Sequence, residues 1–374
     1  MTTVIHSARK LDAHGEVDNF WMFIDGDTIT STGHGPHPDA TTVVDTAGAW
    51  LVPGFIDLHG HGGGGFSFDD GPDAILSALA LHRSRGTTRS VISLVANPLA
   101  TLRTSLSSIA DLVADDPLIL GAHLEGPYLA VDRRGAHNPE FLREPSVSEL
   151  DGLITAARGT LRQMTIAPEL PNALELVDVL VEAGVAVAIG HTEVTYDGAR
   201  EAFDRGARIL THAFNAMPGI HHRTPGPIVA AFEDERVTLE LIMDGKHVHP
   251  RVVHLAFGAA PGRIAFVTDA MAAAGYTDGD YTLTVAVRDG LAMLRGTTTI
   301  AGSTVTHDSA LRQSMRDVKI PPTDAIAALT LTPARALGLE HRHGQLAPGF
   351  AADAVLLDHD WHVKNVWGNG SVVV

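Results

Sequence analysis

Between about residue 54 and about residue 270 the chain alternates short apolar runs of strand length with longer segments whose apolar positions recur at helical spacing. The runs are Gly54 to Leu58, Arg89 to Val95, Leu118 to Leu124, Gln163 to Pro168, Val185 to Gly190, Arg208 to Thr211, Thr238 to Met243 and Arg263 to Thr268. Between them Pro72 to Arg85, Leu99 to Ala114, Ser146 to Ala157, Asn172 to Ala183 and Thr195 to Arg205 are mostly amphipathic and close on Gly, Asp or Pro, which predicts helices. Strands alternating with helices pair in parallel through right-handed crossovers, and eight such units close a barrel. The predicted fold class is therefore α/β, a (β/α)8 TIM barrel.

Both ends of the chain break this pattern. Residues 2–50 (TVIHSAR, NFWMFIDG, TTVVDTA) and residues 344–374 (GQLAPGFAADAVLLD, HVKNVWGNGSVVV) alternate β-like pieces with polar turns. They are expected to pair into a small β-sandwich domain of residues 1–52 plus 344–374, leaving 53–343 as the barrel. Within YTLTVAVRDGLAMLRG, Asp289-Gly290 is a two-residue hairpin signal between strand-like runs. It predicts a β-hairpin insertion near 276–300, followed by helices near Val305 to Asp317 and Pro322 to Leu337.

Composition narrows the class. With 374 residues and 45% hydrophobic side chains the chain can bury a large core. It has no cysteine, so disulfides and thiolate metal sites are excluded and any bound metal must use nitrogen and oxygen ligands. A formal charge of -17, with no long Lys/Arg block, opposes nucleic acid as a partner. The N-terminus lacks a basic segment followed by a continuous apolar one, and the longest apolar stretch, Leu174 to Gly190, carries Glu175, Asp178 and Glu182. The expectation is a cytoplasmic enzyme with neither a signal peptide nor a membrane span.

The placement of metal-capable side chains adds chemistry to this outline. There are 21 histidines, so position must decide rather than number. His59 and His61 in DLHGHGG, Glu125 in LILGAHLEGPYL, His191 in VAVAIGHT and His212 in RILTHAFNAM all stand where apolar runs end, and Asp269 ends IAFVTDAM in the same way. A barrel gathers the residues after its strands at one mouth, which an open doubly wound sheet would not do for the first, third, fifth, sixth and eighth runs. His59 and His61 are two apart on an extended segment, so both can point to one side and grip one ion, while Gly60 and Gly62 let the backbone turn away. Glu125 would be expensive to bury past an apolar strand without a cation or donors. His123, two residues earlier, can share its side of the strand as a supporting residue. Imidazole and carboxylate groups suit zinc and other divalent transition metals, and a cation with an open position acidifies its bound water. The chain reads as a metallohydrolase.

The stretch Gly54-Phe-Ile-Asp-Leu-His59-Gly-His61 and the terminal Pro348-Gly-Phe-Ala-Ala-Asp353 resemble the amidohydrolase superfamily. Six further blocks, in order, resemble one family within it, the N-acetylglucosamine-6-phosphate deacetylases: His123-Leu-Glu125-Gly-Pro127, Gly135-Ala-His137-Asn138-Pro139, Gly190-His191-Thr192, His212-Ala-Phe-Asn215-Ala216-Met217, Asp244-Gly-Lys-His247 and Thr268-Asp269-Ala270. Any one block is weakly specific, but their ordered set covers nearly the whole chain.

The resemblance implies a metal-dependent enzyme converting N-acetylglucosamine 6-phosphate into glucosamine 6-phosphate and acetate, in amino-sugar catabolism and cell-wall recycling. Glu125, His191 and His212 would form the principal metal site. Glu125 would bridge to a second ion at His59 and His61, so one or two divalent ions per subunit are implied, zinc foremost, with iron, manganese or cobalt as alternatives. Asp269 would act as general base and then as general acid, as amide hydrolysis requires. His137 would donate to the acetyl carbonyl. Backbone N–H groups near Asn215 and Ala216, together with His247 and Arg223, would hold the phosphate, with Arg223 contributed by a neighbouring subunit of a homodimer. His249 and the Arg133-Arg134 loop depart from the family pattern and bear on substrate preference. N-acetylgalactosamine 6-phosphate, or another amide of the superfamily, is the alternative substrate. A barrel serving only as a scaffold is disfavoured because all six metal and shuttle positions are filled.

Overall fold

The computed structural model describes residues 2–276, 278–280, 285–294, 296–297 and 299–374. Its centre is a sheet of eight parallel strands, labelled here in chain order: β1 Phe55–Asp57, β2 Thr87–Leu94, β3 Ile119–Glu125, β4 Leu161–Ile166, β5 Ala186–Ile189, β6 Ile209–Leu210, β7 Thr238–Ile242 and β8 Ile264–Val267. Each pairs with the next in chain order. Every expected apolar run thus becomes a strand, although β6 is only two residues long and β1 ends before Leu58. Nearly every residue of these strands is buried, as the faces of a barrel wrapped by helices require.

Helices Pro72–Ser84, Leu99–Asp115, Val147–Ala156, Ala173–Glu182 and Tyr196–Asp204 form the first five crossovers, within one or two residues of their expected limits. Gly226–Glu233 and Pro250–Ala259 supply the next two. Proline opens Pro72–Ser84 and Pro250–Ala259 at a position where its missing N–H is no loss. Among the described residues, no helix is long and apolar enough to cross a membrane.

β1 and β8 meet through individual hydrogen bonds rather than a regular ladder. The Asp57 carboxylate accepts from the Thr268 hydroxyl at 2.6 Å and from its backbone N–H at 3.2 Å, and Asp269 N–H donates to the His59 carbonyl at 2.7 Å. The barrel is thereby closed next to its mouth.

Both chain ends join one further sheet of eight strands. Thr2–Asp12 pairs antiparallel with Gly15–Asp25 and, along its other edge, in parallel first with Thr42–Asp45 and then with Trp50–Pro53, which continues to Ala354–Leu357 and Val363–Gly368. This layer encloses its own apolar cluster, including Ile5, Phe20, Met22, Ile29, Leu51 and Trp367, separate from the barrel core. The passage from one sheet to the other falls at Gly54, where a side chain would strike Thr88. Arg89 on β2 binds Asp353 of the terminal sheet in bidentate fashion (2.7 and 3.0 Å), tying the two layers together.

Beyond β8, Val285–Arg288 pairs antiparallel with Leu291–Leu294. Asp289 and Gly290 both have positive φ (52° and 74°), as a type I′ turn demands. Positions 277, 281–284, 295 and 298 of the insertion expected near 276–300 lie outside the described residues. Of the two late helices, the first runs His307–Gln313 and ends in a π-helical turn, Ser314–Val318. The second is broken at Thr330 into Pro322–Leu329 and Leu331–Ala336.

Candidate active site

At the C-terminal mouth of the barrel a cavity of about 700 Å³ is lined by His61, Glu125, His137, His191, His212, Asn215, Ala216, His247 and Asp269 among others. Nearly all the residues singled out from the sequence therefore meet in one place. His59 lies directly beneath, fully buried.

Glu125, the last residue of β3, is the hub. Its Oε1 lies 3.1 Å from His191 Nε2, 3.1 Å from His212 Nε2 and 3.4 Å from His59 Nε2, and its Oε2 lies 3.2 Å from His61 Nε2 and 3.2 Å from His137 Nε2. Imidazole nitrogens also face each other at 3.0 Å, His59 against His61 and His191 against His212. Two sets of donors result, Glu125 with His191 and His212, and His59 and His61 with Asp269, whose Oδ1 is 3.7 and 3.5 Å from the two imidazoles.

These separations fit a metal centre. Nitrogen and oxygen ligands about 2.0–2.1 Å from a tetrahedral ion lie roughly 3.3 Å from one another, close to the spacing found. Nitrogen atoms crowded together without an intervening donor would otherwise be unfavourable in a buried site. The donor chemistry, imidazole and carboxylate with no thiolate, matches a divalent transition metal.

The surroundings orient the rings. His191 Nδ1 donates to the Arg133 carbonyl at 2.7 Å and His59 Nδ1 lies 3.2 Å from Glu240 Oε2, leaving both Nε2 atoms free to face the centre. His137 is held the other way round. Ala96 N–H donates to its Nδ1 at 3.3 Å, so in the neutral ring the proton sits on Nε2, which points at the centre as a donor. His123 does not reach the donors. Its ring is bonded to Ser93 and to Thr165, each at 2.9 Å, and it packs edge-on against His59 as a satisfied buried histidine.

Burial and charge oppose each other here. Burial would raise the Glu125 carboxyl, but the surrounding His59, His191 and His137 imidazoles hold it well below the usual carboxylate range. Burial would likewise lower His59, yet Glu125 and Glu240 hold it well above the ordinary imidazole value. Burial prevails at His137 and His123, which are both lowered.

His191, His212 and Asp269 share a backbone peculiarity, since each leaves its strand with positive φ (48°, 27° and 44°). Such non-glycine strain is found where surrounding structure enforces it and is frequent at functional sites.

His247 also lines the cavity, and its Nδ1 donates to Asp244 Oδ2 at 2.7 Å. Burial would lower His247, but the Asp244 carboxylate raises it above the ordinary value, so the ring can carry positive charge. Asn215 and Ala216 follow His212 on the adjoining turn.

Arg223 is the exception. It is exposed on the 220–224 turn and does not line the cavity of its own chain. His249 also lies apart: it is exposed, does not line the cavity of its own chain, and its ring caps the helix Pro250–Ala259 by accepting from Arg251 N–H at 3.2 Å. Arg133 does line the cavity and is paired with Glu193.

Sequence reasoning passed over several participants. Glu240 sits in the middle of β7 between Leu239 and Leu241, and Asp57 ends β1 between Ile56 and Leu58, each a charged residue that interrupts apolar neighbours. Such an interruption is itself a detectable signal, because an unpartnered buried carboxylate is costly. Asn97 lines the cavity and donates to Asp69 at 3.0 Å, whose carboxyl burial pushes up to about 6. Ile300, Ala301 and Gly302, beyond the hairpin, complete one wall.

Similarity to known proteins runs along nearly the whole chain. Residues 50–373 match the model of the amidohydrolase family. The chain is 38% identical over its full length to an N-acetylgalactosamine-6-phosphate deacetylase of Escherichia coli O157:H7, covering 99% of that protein. It is 34% identical, over 86% of its length and 82% of the relative's, to an N-acetylglucosamine-6-phosphate deacetylase of Vibrio furnissii. Among solved structures, an N-acetyl-D-glucosamine-6-phosphate deacetylase mutant from Mycobacterium smegmatis, in complex with N-acetyl-D-glucosamine-6-phosphate, superposes with a TM-score of 0.93 at 42% identity, covering 100% of this chain and 99% of that one. With a parallel eight-stranded barrel, histidines and carboxylates gathered at its mouth and a family match from residue 50 to residue 373, the chain belongs to the amidohydrolase family.

Proposed function

We propose that this enzyme hydrolyses the acetamido group of an N-acetylhexosamine 6-phosphate, N-acetylglucosamine 6-phosphate foremost, to the free amine and acetate. The observation that carries the reading is the sharing of Glu125 between His191 and His212 on one side and His61 on the other, at the floor of a cavity that also holds Asp269, His137 and His247.

Glu125, His191 and His212 would hold one divalent ion, and His59 and His61 a second, zinc foremost. When bound, such an ion polarises the amide carbonyl and acidifies water. His137 donates its Nε2 proton in a hydrogen bond to the carbonyl oxygen as negative charge develops there. Asp269 takes the proton of the attacking water and passes it to the departing amine nitrogen, one carboxylate serving both steps in turn. His247, its pKa raised by the Asp244 carboxylate, and the backbone at Asn215 and Ala216 receive the phosphate. Arg223, exposed in its own chain, would complete that end from a second copy in a homodimer. A cytoplasmic place of action belongs to the same reading.

A second reading, the galacto substrate, is favoured by one observation: the full-length relative at 38% identity acts on N-acetylgalactosamine 6-phosphate. Acetate release from both phosphorylated sugars and their unphosphorylated counterparts, by protein of known metal content, separates the two. Turnover confined to a phosphorylated sugar is expected. No turnover of any of the four by fully metal-loaded protein would overturn the proposal.

A further inference from the structure

Glu240 is fully buried in the middle of β7, in the run Thr-Leu-Glu-Leu-Ile, where neighbouring residues are apolar. A carboxylate there needs compensation. Among the described residues it has no lysine or arginine partner, and its only ion-pair contact is His59 Nδ1 at 3.2 Å. Gln163 Nε2 donates to Oε1 at 2.8 Å, and the backbone N–H of His212 donates to Oε2 at 3.3 Å. One carboxylate thus touches a member of each donor set, the ring of His59 and the main chain of His212.

The four candidate imidazole ligands are not supported alike. His191 Nδ1 faces a neutral carbonyl, that of Arg133. Among the described residues, the Nδ1 atoms of His61 and His212 have no partner. Only His59 is backed by a carboxylate. Because a carboxylate can only accept, His59 Nδ1 must carry the hydrogen, and the Nε2 lone pair is left for the centre, 3.0 Å from His61 Nε2. A carboxylate behind an imidazole fixes the ring, selects the tautomer and strengthens it as a ligand.

We propose that Glu240 is a positioning residue for His59, and that it enables the set of His59, His61 and Asp269 to keep an ion of its own beside that at Glu125, His191 and His212. This rests on the two-ion reading given above.

The test is ion stoichiometry and affinity in Glu240→Gln, paired with nuclear magnetic resonance of the unmodified protein. The amide of glutamine can present its N–H₂ to His59 and force the opposite tautomer. Wild-type protein should load two ions per chain. The variant, melting as a folded protein, should keep the first ion, while affinity for the second falls about 10–100-fold. With ¹¹³Cd and ¹⁵N-histidine, coupling in the wild type should run through His59 Nε2, with Nδ1 protonated. A folded variant that binds both ions as wild type does, or loses both together, would overturn the proposal. So would coupling through Nδ1, which decides the matter even if the variant fails to fold. Wild-type protein that loads one ion only would refute the two-ion reading itself, and this inference with it.

Discussion

Asp57 and Thr268, separated by 211 residues in sequence, join the first and last strands of the barrel through a buried 2.6 Å hydrogen bond. The same threonine precedes Asp269, and Asp57 lies two residues before His59. The bond that closes the barrel therefore also brings the proposed proton shuttle beside a proposed metal ligand.

Thr268→Val keeps the shape of the side chain and removes the hydroxyl, leaving Asp57 Oδ2 short of its donor. Stability should fall by about 1–3 kcal/mol, read as a lower denaturant midpoint at unchanged slope. An unchanged midpoint would mean that the seam does not depend on this bond.

Asp269→Asn should reduce kcat by about 10²–10⁴-fold, the range expected when general acid–base transfer is lost. The ion held by Glu125, His191 and His212 should remain, because Asp269 is not a member of that donor set. Metal analysis alongside kinetics distinguishes a lost shuttle from a lost ion.

His247 offers a test by pH. Its folded value is raised, so its positive charge is present at low pH and is given up as pH rises through that value. KM for the phosphorylated sugar should climb over that interval. Asp244→Asn should move the rise to lower pH and raise KM at neutral pH by about 10–100-fold, as befits a charge-assisted hydrogen bond of about 1.5–3 kcal/mol. An unphosphorylated analogue should show neither effect.

The junction between barrel and terminal sheet should respond to acid. Burial works to raise the Asp353 carboxyl, but His343 and Arg89 hold it down at about 2. Its folded value lies below the unfolded one, so its stabilisation, about 2 kcal/mol, is present above roughly pH 4 and is lost as pH falls towards 2. Arg89→Met would strand the buried carboxylate and cost about 3–5 kcal/mol. Thermal melting between pH 2 and 6 checks both statements.

The barrel was legible because short, mostly apolar runs alternate with segments of helical spacing, and the ligand candidates because they stand where those runs end. Val185 to Gly190 followed by His191 shows both signals at once. Asp353 stood out only as the end of the Pro348-Gly-Phe-Ala-Ala-Asp353 stretch that carries the resemblance; its physical reason, the bidentate contact with Arg89, spans 264 residues. Glu240 was passed over for a similar reason, since its partner His59 lies 181 residues away and nothing local to β7 names it. The helix Gly226–Glu233 was obscured by the Thr-Pro-Gly-Pro that opens it, which reads as a turn. Arg223 and His249 could not be placed from spacing, because their directions depend on the turns that carry them.

The left-handed backbone at His191, His212 and Asp269 changes how these positions should be probed. Alanine, the usual replacement, is disfavoured in that conformation, so an alanine variant would combine a lost side chain with a relaxing main chain. Asparagine, aspartate and histidine enter that region several times more readily than other non-glycine residues. The chemistry of the mouth and the bend of its strands therefore draw on the same few amino acids, and asparagine scanning is the cleaner way to dissect them.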